Sequence, residues 1–507
     1  MHSNDLSRRR FLTRGSVAAA SLGLNDLLFL PTLGKVSAQE ASAAPHLVVL
    51  RPEIEPIVRL IEDTPRDRLM EEIGHQVKAG KLSYQEILAG LQLAGVRNIQ
   101  PRPVGFKFHA VLVINSAHLA SVASPDSERW LPIFWALDNF KSSQQQDVVQ
   151  GDWSMGPVVE SDVPAGHTAV RAFRVAMDNW DEAGADAAVA GLARNVSVDE
   201  LFELFAEYGS RDFRDIGHKA IYVANSFRTI ESIGWQHAEP VLRSLAYALL
   251  AHEGDNPARR DAEADRPGRQ NRELAKTIPD DWLAGDPDPG RAASLLPVLR
   301  DGTAVDASAA AAELLRHRVH PQALWDVLLG FAGELMMRRS DILSLHAITS
   351  ANAMYYAYRR VNNDPLRKFL VLQNAAFMTL FRREPEKIAS KKRFIDQMQP
   401  GAIEGDSALE EIFATISADK PAAAAKVFAY CKDDPARARE VIDTARRFLF
   451  LKGNNSHDYK YTAAIMEDYA QLAPSLRDRY LAASVFNLRG SGDTENPLVA
   501  RIRGALA

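Results

Sequence analysis

Four histidines recur at the same place in four similar passages of the chain. "HAVLVINSAHLAS" begins at His109, "HKAIYVANSFRTI" at His218, "HAITSANAMYYAY" at His346 and "HDYKYTAAIMEDY" at His457, with spacings of 109, 128 and 111 residues. Three copies carry an asparagine soon afterwards, Asn115 and Asn352 at six residues and Asn225 at seven, whereas the fourth has alanine at both places. Neutral imidazole is a common metal ligand, and a helix N-terminus disfavours imidazolium through its dipole. If the four converge, His109, His218, His346 and His457 form a metal or cofactor site. If they are dispersed, each is a packed core histidine preserved by duplication alone.

Two carboxylates extend the metal reading. Glu207 in "LFELFAEYG" and Glu334 in "LLGFAGELMM" lie in largely apolar helical runs, each eighteen residues before its asparagine. A carboxylate from one helix and a histidine from the next are the ligand types of helical mono- and di-metal sites. Glu207 and Glu334 are therefore expected to complete or neutralise the site, with Asn225 and Asn352 orienting ligands or substrate. His237 in "GWQHAEP", just before Glu239, is a further catalytic candidate. The competing reading puts both glutamates on solvated helix faces. His118 lies nine residues past His109, about half a turn away on an ideal helix, and is expected to be structural.

Other chemistries find little support. No H-E-x-x-H, E-x-x-H, G-x-S-x-G, P-loop or G-x-G-x-x-G pattern occurs in a suitable context, which argues against common zinc hydrolases, serine hydrolases and classical nucleotide-binding enzymes. Cys431 is the one cysteine, so an intramolecular disulfide is impossible and a cysteine-based metal site is excluded. It is expected to be a buried small hydrophobe.

The elements that must position the histidines are helices. Helical periodicity dominates from residue 53 onward, and only "HLVVL" (46–50) and "GPVVESDV" (156–163) look extended. Each histidine passage is preceded by a helix, a short break and a second helix: 68–91, 186–205, 308–329 and 422–442. Ser83 with Glu86 and Ser197 with Glu200 have capping-box spacing, and Pro321 and Pro435 suit a first helical turn. The histidine is expected to open the third helix, and a fourth helix closes each unit. The expectation is an all-α chain of four similar units, about sixteen helices, forming a helical repeat or toroid-like body. Residues 39–251 form the first half (units 1 and 2) and 291–507 the second (units 3 and 4). The charged segment 252–290 reads as a polar linker.

The wording "HAITSANAMYYAY", with "GHKAIYVANSF" and "GWQHAEPVLRSLAYALL", resembles helical segments of the questin oxidase-like family over roughly residues 60–490. That resemblance implies oxygen-dependent oxidation of an aromatic substrate and points to His218, His346, Asn225, Asn352 and His237 as matching positions. The chain has no Rieske cysteines, so an external electron donor is a possible partner.

The 507 residues carry a formal charge of −5 with mixed signs, which argues against nucleic acid as a partner. At the N-terminus, "SRRRFLTRGSVAAASLGL" followed by "VSAQEASA" looks like a twin-arginine translocation signal over residues 1–38. The apolar run at 15–32 is broken by Asn25 and Asp26 and is too short for a membrane span. An exported, periplasmic location follows as an expectation, as does a cofactor inserted before export. The leading functional expectation is an exported oxidoreductase acting on a small organic substrate through histidine-bound iron or another transition metal. The competing one is a non-catalytic periplasmic helical-repeat scaffold.

Overall fold

The computed structural model describes residues 47–507 apart from 104, 105, 384, 390 and 404. The expected export signal lies outside the described residues. The chain is 72% helical, and no strand occurs among the described residues. The two extended candidates do not pair as a sheet; the Val48 N–H donates to the carbonyl of Met155, the residue just before the second candidate, at 2.7 Å. More helices form than the sixteen expected, because connecting segments such as Glu160–Asp162 and Pro257–Arg259 coil into short helical turns.

The helix starts follow the local chemistry. Ser83 and Glu86 make both bonds of a capping box, Ser197 accepts from the Glu200 N–H, and helices begin at Pro321 and Pro435. These devices satisfy amide groups that a helix end would otherwise leave unpaired.

The histidine passages occupy the middle of the molecule. They form α1 (His109–Leu112) and α2 (Ile114–Val122), α3 (His218–Ile233), α4 (Ile342–Arg360) and α5 (Ser456–Gln471). In sequence around a ring, α2 packs on α3, α3 on α4, α4 on α5, and α5 back on α2. Each is flanked outside by the helix before it and the helix after it; for α4 these are Pro321–Arg338 and Asp364–Leu380. The central helices are buried nearly all round, with Ile221, Ile348, Met354, Tyr461 and Ile465 at 2% exposure or less. Fully burying an apolar side chain of this size contributes roughly 1.5–3 kcal/mol, so the packing around the histidine helices holds them firmly in place.

Two expectations change. Only α1 and α3 open on their histidine; α4 starts at Ile342, capped by Asp341, and α5 at Ser456, capped by Asn455. In α4 the cap residue that matters is an aspartate five positions upstream of His346, not the histidine. The segment 252–290 is also no free linker. Its helix Arg266–Ala275 packs on Asp364–Leu380 and Ala304–Arg316, and Trp282 is fully buried with its indole N–H donating to Asp364 at 2.7 Å. Apolar residues scattered among the charges, Leu274, Ala275, Ile278 and Trp282, give it a face to bury.

Candidate metal centre

The four histidines converge. Nε2 of His218 lies 3.2 Å from Nε2 of His109 and 2.9 Å from Nε2 of His346. The ligating nitrogens of these three buried rings all fall within 4.8 Å of one another. The His457 ring completes the ring of four, its centroid 4.6 Å from that of His109 and 5.3 Å from that of His346.

The protonation pattern follows from the backbone. Nδ1 of His218 faces the Asp215 carbonyl at 2.5 Å, and Nδ1 of His346 faces the Ile342 carbonyl at 2.7 Å. A carbonyl only accepts, so each Nδ1 carries the proton and each Nε2 presents a lone pair. Burial holds both imidazoles well below the usual histidine range, the neighbouring histidines and Lys460 adding to the effect, and lowers His457 to about 3. The rings are therefore neutral near pH 7. Two neutral imidazoles thus aim lone pairs at each other across 2.9 Å, an arrangement that repels unless a cation lies among them.

The two nitrogen spacings centred on His218 fit ligation of a common metal ion. Two nitrogens bound ~2.0–2.1 Å from a common ion lie roughly 2.9–3.4 Å apart for ligand angles between right-angled and tetrahedral. The observed 2.9 and 3.2 Å fall in that range. The carbonyl partners on Nδ1 are the usual outer support of ligating histidines, fixing tautomer and ring orientation.

Local backbone geometry holds His218 in this pose. Asp215, Ile216 and Gly217 take φ of 49°, 48° and 78°, a left-handed turn immediately before α3. Such angles cost a β-branched residue on the order of 1–3 kcal/mol and persist only where surroundings impose them. Here Arg214 grips Asp265 through both guanidinium nitrogens, and Lys219 donates to the fully buried Asp212 at 2.9 Å. A side chain at Gly217 would meet Ser350 Oγ at 2.6 Å, so that position admits only glycine. The turn aims the Asp215 carbonyl at His218.

Above the histidines a small cavity of about 20 Å³ lies along the bundle axis, a narrow channel in outline that stops short of the rings themselves. One turn on, Ile221, Thr349 and Lys460 line it; a second turn on come Asn115, Asn225 and Asn352; a third turn on, Arg228 and Glu467 close it. At 1.5 Å per residue the closure lies about 15 Å from the histidines. Arg228 Nη2 donates to both Glu467 oxygens at 2.7 and 2.6 Å, and its Nη1 reaches Asn352 Oδ1 at 3.3 Å. Beyond this pair a surface cleft of about 500 Å³ opens, walled by Leu119, Val122, Met466 and Arg446 among others.

The expected site residues separate into two groups. Asn225 and Asn352 stand over the centre, but as structural ties: Asn225 Nδ2 donates to the Leu112 carbonyl at 3.0 Å, and Asn352 Nδ2 donates to Glu467 at 3.0 Å and Asp468 at 2.8 Å. Glu207 and Glu334 are not brought to the histidines. Glu207 pairs with Arg174 at 2.7 Å on the wall of another cleft. Glu334, fully buried, is held by Arg300 at 2.6 Å and Arg338 at 3.2 Å. Each glutamate has an arginine partner closer in the fold than any histidine, which the spacing to the asparagines does not reveal. His237 lines a third cleft beside Glu239. His118, expected to be structural, pairs through Nδ1 with the Tyr84 hydroxyl at 2.9 Å and lines the surface cleft beyond Arg228 and Glu467.

Two features of the centre lie outside the repeated histidine and asparagine pattern. Lys460 is three residues past His457 and hence on the same helix face, a signal available from the fourth passage alone. The Arg228–Glu467 pair spans 239 residues and has no local signature. Comparison of the chain with protein-family models, with curated proteins and with solved structures gives no match.

Proposed function

We propose that the histidine ring binds one transition-metal ion and that the chain is a metal-dependent oxidoreductase acting on a small organic substrate. The observation that carries the metal reading is the pair of Nε2 lone pairs facing each other at 2.9 Å, with both Nδ1 protons committed to backbone carbonyls. His109, His218 and His346 supply three imidazole nitrogens, and His457 flanks them. Imidazole-rich sets suit iron, copper, zinc and nickel, and a redox-active member of that group is required for oxidation. The resemblance of "HAITSANAMYYAY" and "GHKAIYVANSF" to the questin oxidase-like family supports iron and an oxygen-dependent reaction. The surface cleft, apolar on one wall and polar at Arg228 and Glu467, suits an organic substrate.

The same reading includes export by the twin-arginine route, which carries folded proteins and so suits a metal inserted before translocation. It also includes the four-unit organisation. Support comes from recurrent packing of first on fourth helices: Glu182–Asn195 on Ala238–Leu249, Ala304–Arg316 on Asp364–Leu380, and Lys420–Cys431 on Pro474–Ser484. The scaffold alternative needs dispersed histidines, and the 2.9 and 3.2 Å separations speak against it.

Metal analysis of protein folded in its native host tests the proposal. One metal ion per chain in the wild type, lost in His218→Ala and His346→Ala while circular dichroism shows both folded, is the expected result. A wild-type chain without metal sinks it.

A further inference from the structure

We propose that the axial channel ends in an anion site, in which Lys460 and the metal centre together hold a compact monoanion of carboxylate size. The inference deepens the metal reading and rests on it. Three observations carry it.

The first is Lys460 itself. It lines the channel one turn above the histidines, and its fully buried Nζ has no hydrogen-bond acceptor among the described residues. Burial lowers the Lys460 amine to about 7; an anion beside it would hold it as ammonium, whose three donors are costly to leave unpaired in the interior. A ligand oxygen or nitrogen entering the channel would take them up.

The second is charge. Every candidate ligand atom at the centre is an imidazole nitrogen, which binds a metal in its neutral form, and no carboxylate joins the three-histidine group among the described residues. The nearest acids along the channel are spent elsewhere: Glu467 on Arg228 and Asn352, Asp468 on Asn352 and Tyr480. A divalent ion among neutral ligands, with a lysine beside it, leaves buried positive charge uncompensated. An anion from solution supplies the missing charge.

The third is size. The cavity running from Arg228 and Glu467 past the asparagines to Lys460 is small, about 20 Å³ in all. Such a space admits only an occupant of a few atoms, the class of formate, nitrite or azide, whereas an aromatic body is stopped at the cleft above Arg228. The geometry thus assigns the bulky substrate to the cleft and the small anion to the channel floor.

Azide is the probe, titrated calorimetrically into the full chain in metal-loaded and metal-free form, for wild type and Lys460→Met. Methionine matches the lysine stem and removes only the donor head, and a thermal melt confirms that the variant folds; Lys460→Gln serves as a second variant. The expected result is unchanged metal content with azide affinity at least tenfold weaker in both variants. Metal-loaded Lys460→Met binding azide as tightly as wild type overturns the anion site and leaves the metal reading standing. Wild-type protein that carries no metal sinks the metal reading instead, and absence of azide binding by the metal-loaded wild type overturns the anion site.

Discussion

Replacing Glu334 by alanine separates stability from the metal centre. Glu334 is fully buried, and its carboxylate accepts from Arg300 Nε at 2.9 Å, Arg300 Nη2 at 2.6 Å, Arg338 Nη1 at 3.2 Å and the Ile395 N–H at 3.1 Å. Truncation leaves two guanidinium groups facing a void. Arg300 keeps Asp396 at 2.6 Å, but Arg338 retains only backbone carbonyls of Ile388 and Lys391. Breaking a buried pair by removing one partner costs about 3–5 kcal/mol. The comparison is Glu207→Ala: that carboxylate is partly exposed, its Arg174 partner more so, and an exposed pair contributes roughly 0–1 kcal/mol. Chemical denaturation followed by far-ultraviolet circular dichroism reads the two changes, and metal analysis accompanies each variant. Both variants are expected to keep wild-type metal content. A Glu334→Ala protein that loses metal while keeping its denaturation midpoint would refute the assignment of Glu334 to the Arg300–Arg338 network.

Two further outcomes follow from the central bundle. Burial pushes the Asp468 carboxyl up to about 7, against hydrogen bonds from Asn352 and Tyr480 that lower it and with Glu467 adding to the rise. Its folded pKa is above its unfolded one, so the folded state holds a proton that the unfolded chain releases. That contribution is complete below pH ~4 and is lost as pH rises toward 7, at up to ~1.4 kcal/mol per pH unit. Asp468→Asn should remove this slope, and denaturation midpoints at pH 5 and pH 7.5 that shift equally in variant and wild type would contradict it. Gly209 lets the helix Val198–Gly209 approach α3, since a side chain there would sit 2.5 Å from Val223 Cγ2 and 3.3 Å from the Lys219 carbonyl. Gly209→Ala is expected to destabilise by ~1–3 kcal/mol and to lower metal content by displacing the His218 helix; a variant with wild-type midpoint and metal content goes against that close-packing argument.

The sequence by itself determined the helical class and the histidine correspondence. Helical periodicity is local, written at 3.6-residue spacing, and the caps at Ser83, Ser197, Pro321 and Pro435 depend on residues within one turn. The likeness of the passages at His109, His218, His346 and His457 is a property of the sequence order and needs no coordinates. The packing of segment 252–290 was not legible, because its apolar residues are diluted by charge and their burial depends on distant helices.

Which side chains meet was decided by the tertiary structure alone. Glu207 and Glu334 carry the same offset to an asparagine, yet one pairs at the surface with Arg174 and the other is sealed between Arg300 and Arg338. A charged group's partner is chosen by through-space distance, across separations of tens to hundreds of residues, and no local pattern encodes it. The closing of α2, α3, α4 and α5 into a ring is of the same kind. It turns four similar helix passages into one site, setting Nε2 atoms 109 and 128 residues apart in the chain at 3.2 and 2.9 Å from each other.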